Sequence, residues 1–162
     1  METDLDHKVF GQLLSPKYDF SNFSFEDFIS IGLEAQHIKG LHQRILGRLA
    51  MALEIKRGEG TLKQFAKAIE IPVPSLYAFK STEEHLLPFD DLIPADWTWT
   101  SRRILALQEN PKDWIEKGVK EGWSSSELIR EIALKKPKKD RMWTCPNCGE
   151  NYFESFIKKE LK

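Results

Sequence analysis

Apolar and small residues recur at Phe28, Ile31, Ala35, Ile38, Ile45, Leu49 and Ala52, at spacings of three, four or seven. That period keeps one face of a helix apolar. Ser24 followed by Asp27 is a capping arrangement that opens the run. Arg57–Gly58 closes it, a cationic last turn followed by a glycine able to take positive φ. As one element the run is a long N-terminal helix beyond the usual length of a globular one. Two readings stay open. Gly32, Gly40 or Gly47 breaks it into two helices packed on each other, or it stays whole and its stripe packs on a second copy of the chain. Residues 1–23 show no sustained period and read as a flexible arm with at most one short helix.

Beyond residue 61 the pattern predicts short helices with clear punctuation. One runs from Thr61 to about Glu70, and a second from Pro74 to about Ser81, with proline tolerated in the first turn. A connector with Pro88 and Pro94 follows, in which Asp90 and Asp91 read as loop solvation. Thr98 or Thr100 opens the next helix, Asn110–Pro111 starts another that stops at Gly122, and Ser124 with Glu127 caps a last one ended by Pro137. Strand alternation of useful length is missing from residues 24–137, so the fold class is all-α. The expected layout is an arm (1–23), a helical domain (24–136), and a basic linker with a cysteine-bearing tail (137–162).

Residues 61–82, TLKQFAKAIEIPVPSLYAFKST, fit the packing pattern of a helix-turn-helix. Ala66 takes the small crossing position, Ile69 and Ile71 flank the turn, and Leu76 and Phe79 form the inner face of the second helix. Glu70 stands where such turns usually carry glycine, and a left-handed backbone there costs roughly 1 kcal/mol. The expectation is therefore a slightly shifted or opened turn. Ser75, Tyr77, Ala78 and Lys80 would line the outward side, with Ser75, Tyr77 and Lys80 contacting DNA. That face has no Arg, Asn or Gln, the types that make bidentate contacts with guanine and adenine, so direct base reading should be modest. An ordinary αα-hairpin is the plain alternative.

Residues 98–132, TWTSRRILALQENPKDWIEKGVKEGWSSSELIREI, resemble the segment after the helix-turn-helix in ParB/KorB-type DNA-binding proteins of plasmids and phages, and the likeness covers residues 61 to about 134. The resemblance implies that Arg102 and Arg103, in the first turn of their helix, touch phosphate. Helix amino termini favour anions and arginine forks suit phosphate, which agrees. A solvated surface pair is the alternative. The nucleotide-binding domain of that family has no counterpart in residues 1–60, so its nucleotide chemistry is not implied.

Near the carboxyl end, Cys145-Pro-Asn-Cys148-Gly149 has the form of a zinc knuckle. Zinc takes four ligands in structural sites, and one chain supplies two at this spacing. Two chains sharing one zinc, completion by distant histidines or a partner, and a metal-free remnant all remain open. His37 and His42, five apart, do not stack on one helical face.

Composition narrows the class without naming a substrate. The chain has 162 residues, 41% hydrophobic and 30% charged, which is the make-up of a folded domain. Two cysteines close in sequence point to a reducing compartment, and the acidic first residues are unlike a basic signal peptide, so a cytoplasmic protein without a membrane segment is expected. Residues 61–129 carry 8 basic and 11 acidic side chains, net −3, and residues 130–162 carry 9 and 5, net +4. Phosphate-loop, triad and paired-carboxylate signatures are lacking, so an enzyme is not expected. The expected function is DNA binding of mobile-element type, as repressor or accessory architectural factor and as a homodimer. The rival is an adaptor that docks the same scaffold onto a larger defence or transposition complex.

Overall fold

The computed structural model describes residues 10–58 and 60–135, together with the backbone of residues 142–144 and 151–153. The helices are α1 (Phe25–Ala35), α2 (His42–Arg57), α3 (Gly60–Ala68), α4 (Val73–Leu86), a 3-10 helix (Leu87–Leu92), α5 (Trp99–Ala106), α6 (Pro111–Glu121) and α7 (Ser125–Lys135). The fold is all-α; the exception among the described residues is a three-residue antiparallel pair, Met142–Thr144 (β1) with Asn151–Phe153 (β2). Cys145 and Cys148 fall between these strands in sequence and outside the described residues, as do the linker and most of the tail. The chain divides into two compact units, residues 1–128 and 129–162. Among the described residues no helix is long and apolar enough to cross a membrane.

The long N-terminal helix is not formed. α1 stops at Ala35, and Gly40 takes φ +75° in the connection to α2. A side chain with a Cβ rarely adopts that backbone, which is why the reversal falls on a glycine. The two helices then pack on each other within one chain. Phe28, Ala35, Ile45 and Leu49 are fully buried and Ile38 is nearly so. Five of the seven stripe residues are therefore buried within one chain, and Ile31 and Ala52 stay half-buried. The other two glycines serve close approach instead of a break: a Cβ on Gly32 would meet Phe65 and Ile69 of the α3 side at 3.0 Å, and one on Gly47 would meet the Phe79 carbonyl oxygen of α4 at 2.6 Å.

The flexible-arm expectation fails for residues 10–23. Phe10, Leu13 and Leu14 are buried in the core, and Tyr18, Phe20 and Phe23 pack tilted or edge-on against one another, with Phe20 and Phe23 also against Phe28, at ring distances of 4.8–6.2 Å. Residues 10–12 are helical and the rest follows the core surface as turns, without a repeat, yet the segment carries six large apolar residues whose burial holds it there.

Two boundaries depart from the expectation: α4 continues to Leu86, five residues past Ser81, and Leu87–Leu92, expected as part of a connector, is a 3-10 helix. Capped starts and glycine stops elsewhere follow the sequence signals. Ser24 Oγ accepts from the Asp27 amide (3.1 Å) and Asp27 accepts from the Ser24 amide (2.7 Å), a reciprocal capping box. These hydrogen bonds from Ser24 hold the Asp27 carboxyl below its ordinary value. Ser124 and Glu127 repeat the arrangement at the start of α7. Gly122, at φ +66°, ends α6 with the Trp123 amide donating to the Gly118 carbonyl at 2.8 Å.

Candidate nucleic-acid interface

α3 is amphipathic in a strict sense: Leu62, Phe65 and Ala66 are fully buried, while Lys63, Gln64 and Lys67 are exposed. Four residues, Ile69–Pro72, join it to α4. The Glu70 amide donates to the Lys67 carbonyl (3.3 Å) and the Ile71 amide to the Ala66 carbonyl (2.9 Å). That pair of bonds is a Schellman closure, and it requires a left-handed residue between helix and exit. Glu70 supplies it at φ +56°. The expected opening of the turn does not occur. The strain is accepted because Ile69 is fully buried, its carbonyl accepts from Gln36 Nε2 at 2.8 Å, and Pro72 commits the chain to extend before α4 begins.

α4 is wedged between α2, α3 and α5. Leu76 is fully buried, Phe79 lies edge-on to Trp99 with ring centres 5.5 Å apart, and the backbone at Phe79 rides over Gly47. Pro74, Ser81, Glu84 and His85 are exposed, and Ser75, Tyr77 and Ala78 are half-buried. Ser75 therefore lies in the first turn of α4, partly open to solvent. Tyr77 keeps part of its ring against the core as well as part in solvent, so it is less free than an outward position implies.

Lys80 and Arg102 do not serve as open cations. Lys80 Nζ pairs with Glu54 of α2 at 2.7 Å and with Glu84 at 3.4 Å. The hydrogen bond from Lys80 to Glu54 is the main reason the Lys80 ammonium titrates above its ordinary value. Arg102 is 3% exposed, and its Nη2 reaches Asp90 at 2.6 Å and Glu83 at 3.4 Å. Of the two neighbouring arginines, Arg103 alone is exposed.

Arg102 belongs to a buried ion cluster that the sequence pattern does not announce. Glu83, fully buried, also accepts from Arg48 Nε (3.1 Å) and Arg44 Nε (3.4 Å), and Asp90 accepts from Arg44 Nη2 (2.7 Å) and Arg48 Nη2 (3.2 Å). Asp90, expected to be loop solvation, is thus an anchor of the 3-10 helix. Five side chains tie α2, α4, the 3-10 helix and α5 together. Three guanidiniums face two carboxylates, and Arg102 Nε is buried with no hydrogen-bond partner.

The cations that remain on the surface beside the turn are Lys63 and Lys67 of α3, four residues apart and so on one helical face. They are legible in the sequence as the polar positions opposite Leu62, Phe65 and Ala66. Cys145 and Cys148, the candidate zinc ligands, lie outside the described residues; among the described residues no group of three or more His, Cys, Asp or Glu converges as a metal site would. Compared with family models, characterised proteins and solved structures, the chain matches none.

Proposed function

We propose that the chain binds duplex DNA through α3 and α4, as a repressor or accessory architectural factor of mobile-element type. In a helix-turn-helix the second helix enters the major groove by its amino-terminal residues while the first crosses the backbone. Here that puts Ser75, Tyr77 and Ala78 toward base edges and Lys63, Lys67 and Arg103 toward phosphates. The observation that carries the reading is the four-residue connection with Glu70 left-handed. Ala66, one turn before Glu70, is fully buried, as a small crossing residue would be, and the start of α4 is open to solvent. The likeness of residues 61–134 to ParB/KorB-type proteins supports the same assignment.

Base contacts from this face are few and short, so sequence discrimination is modest and phosphate attraction carries much of the affinity. One observation favours the adaptor reading instead. Lys80 and Arg102, two of the eight basic side chains in residues 61–129, net −3, are spent on internal ion pairs.

Amide chemical-shift mapping of the full chain against a short random-sequence duplex tests the proposal. DNA binding predicts shifts concentrated at residues 63–67 and 74–81 and at Arg103, and reduced affinity for Tyr77→Ala. Shifts absent at low salt, or confined to other elements, would reject it.

A further inference from the structure

We propose that the groove between residues 15–21 and the outer face of α2 binds a small amphiphilic anion, an apolar tail carrying a carboxylate, with Arg48 receiving the charge. Two adjoining hollows, of about 400 and 140 Å³, share Phe20, Ala52 and Ile55 as walls. The wider one is in the size range of small-ligand sites, which combine apolar walls with a few placed polar groups, and the narrower one extends it toward Arg48.

The apolar part is set by helix geometry. Arg48, Met51, Ala52 and Ile55 recur at three- and four-residue steps and so form one strip of α2. The opposite wall is Tyr18 and Phe20, and it is fastened to α2 because Lys56 Nζ donates to the carbonyls of Ser21 (2.6 Å) and Phe23. Ile55 is 86% exposed, an isolated aliphatic side chain on the rim, uncovered among the described residues.

Charge selects the occupant. Arg48 lines the narrower hollow, and its side chain is 6% exposed. Its Nε and Nη2 are committed to Glu83 and Asp90, and among the described residues Nη1 makes no hydrogen bond. The cluster behind it holds one more guanidinium than carboxylate, so an incoming anion balances it and a cation does not. Asp19, at the far end of the wider hollow, is taken up by the amide and hydroxyl of Ser21 at 2.8 and 2.9 Å. A ligand therefore orients with its acid toward Arg48 and its tail along Ala52 and Ile55.

The probes are sodium decanoate, decanol and decyltrimethylammonium, below their micelle concentrations, titrated into the full chain by calorimetry and by amide and methyl shift mapping. Decanoate should move the signals of Met51, Ala52 and Ile55 and bind about tenfold or more tighter than decanol, the worth of one charge-assisted hydrogen bond. The quaternary ammonium should bind more weakly than either. Ile55→Asp, on an exposed rim position that folding does not need, should weaken decanoate about tenfold. Arg48→Gln should erase the preference for decanoate over decanol. Equal binding of all three probes would mean adsorption to an apolar wall and overturn the proposal. So would shifts elsewhere in the chain, an unchanged affinity in Ile55→Asp, or the same shifts appearing on raising protein concentration alone, since a second copy would then fill the groove.

Discussion

Glu83→Gln removes one charge from the buried cluster and almost nothing from its shape. Glu83 is fully buried and accepts from Arg44, Arg48 and Arg102 at 3.1–3.4 Å. With glutamine there, three guanidiniums face the single carboxylate of Asp90, and the new amide nitrogen points a donor at donors. Breaking a buried pair in this way costs about 3–5 kcal/mol, because a charge is left without its counterpart. For a chain of this length each kcal/mol lowers Tm by roughly 2–4 °C, so a fall of about 6–20 °C is expected. Arg102→Met is the contrast. It gives up the 2.6 Å ion pair with Asp90 and the longer 3.4 Å one with Glu83, but leaves two guanidiniums to two carboxylates and removes the unpartnered Nε. Its cost is dominated by the short charged hydrogen bond to Asp90, about 1.5–3 kcal/mol. Urea unfolding followed by helical circular dichroism, with thermal melts in parallel, gives both values. The order Glu83→Gln worse than Arg102→Met should persist at high salt, because buried pairs are little screened. A Glu83→Gln cost under about 1 kcal/mol, or the reverse order, would refute the charge-balance argument.

Other substitutions test the interface scaffold. Gly47→Ala should destabilise the fold by about 1–3 kcal/mol despite the better helix former, because its Cβ meets the Phe79 carbonyl at 2.6 Å; a stabilised variant would show that α2 and α4 can separate freely. Glu70→Gly should stabilise by up to about 1 kcal/mol in urea melts by relieving the left-handed strain, and a loss would mean Glu70 holds the turn through its side chain. Leu76→Ala should cost about 2–5 kcal/mol, whereas half-buried Tyr77→Ala should cost clearly less; equal melts would make α4 an ordinary core helix.

Local chemistry is legible in the sequence, and long-range chemistry is not. The capping boxes at Ser24 and Ser124, the stop at Gly122 and the turn after Ala66 depend on residues within five positions of one another, so pattern locates them. Pattern names Gly40 as one of three candidate breaks but cannot choose a break over a whole helix, because Ile38 and Ile45 are seven apart, the spacing an unbroken stripe also has. Arg102 escapes it for a different reason. Its partners Glu83 and Asp90 lie 19 and 12 residues away on other elements, and no periodicity links them. Residues 10–23 look like a loose arm in sequence because turns that follow a core surface bury side chains without a repeat.

Fluorescence anisotropy of a labelled random-sequence duplex, titrated with the chain across a range of salt, tests the DNA-binding account most directly. The logarithm of affinity should fall linearly with the logarithm of salt, as counterions are released. Lys63→Ala with Lys67→Ala should lower affinity on every sequence alike and reduce the slope by about two, one for each lysine that no longer neutralises a phosphate. No binding at low salt, or a slope unchanged by the double substitution, would contradict the account.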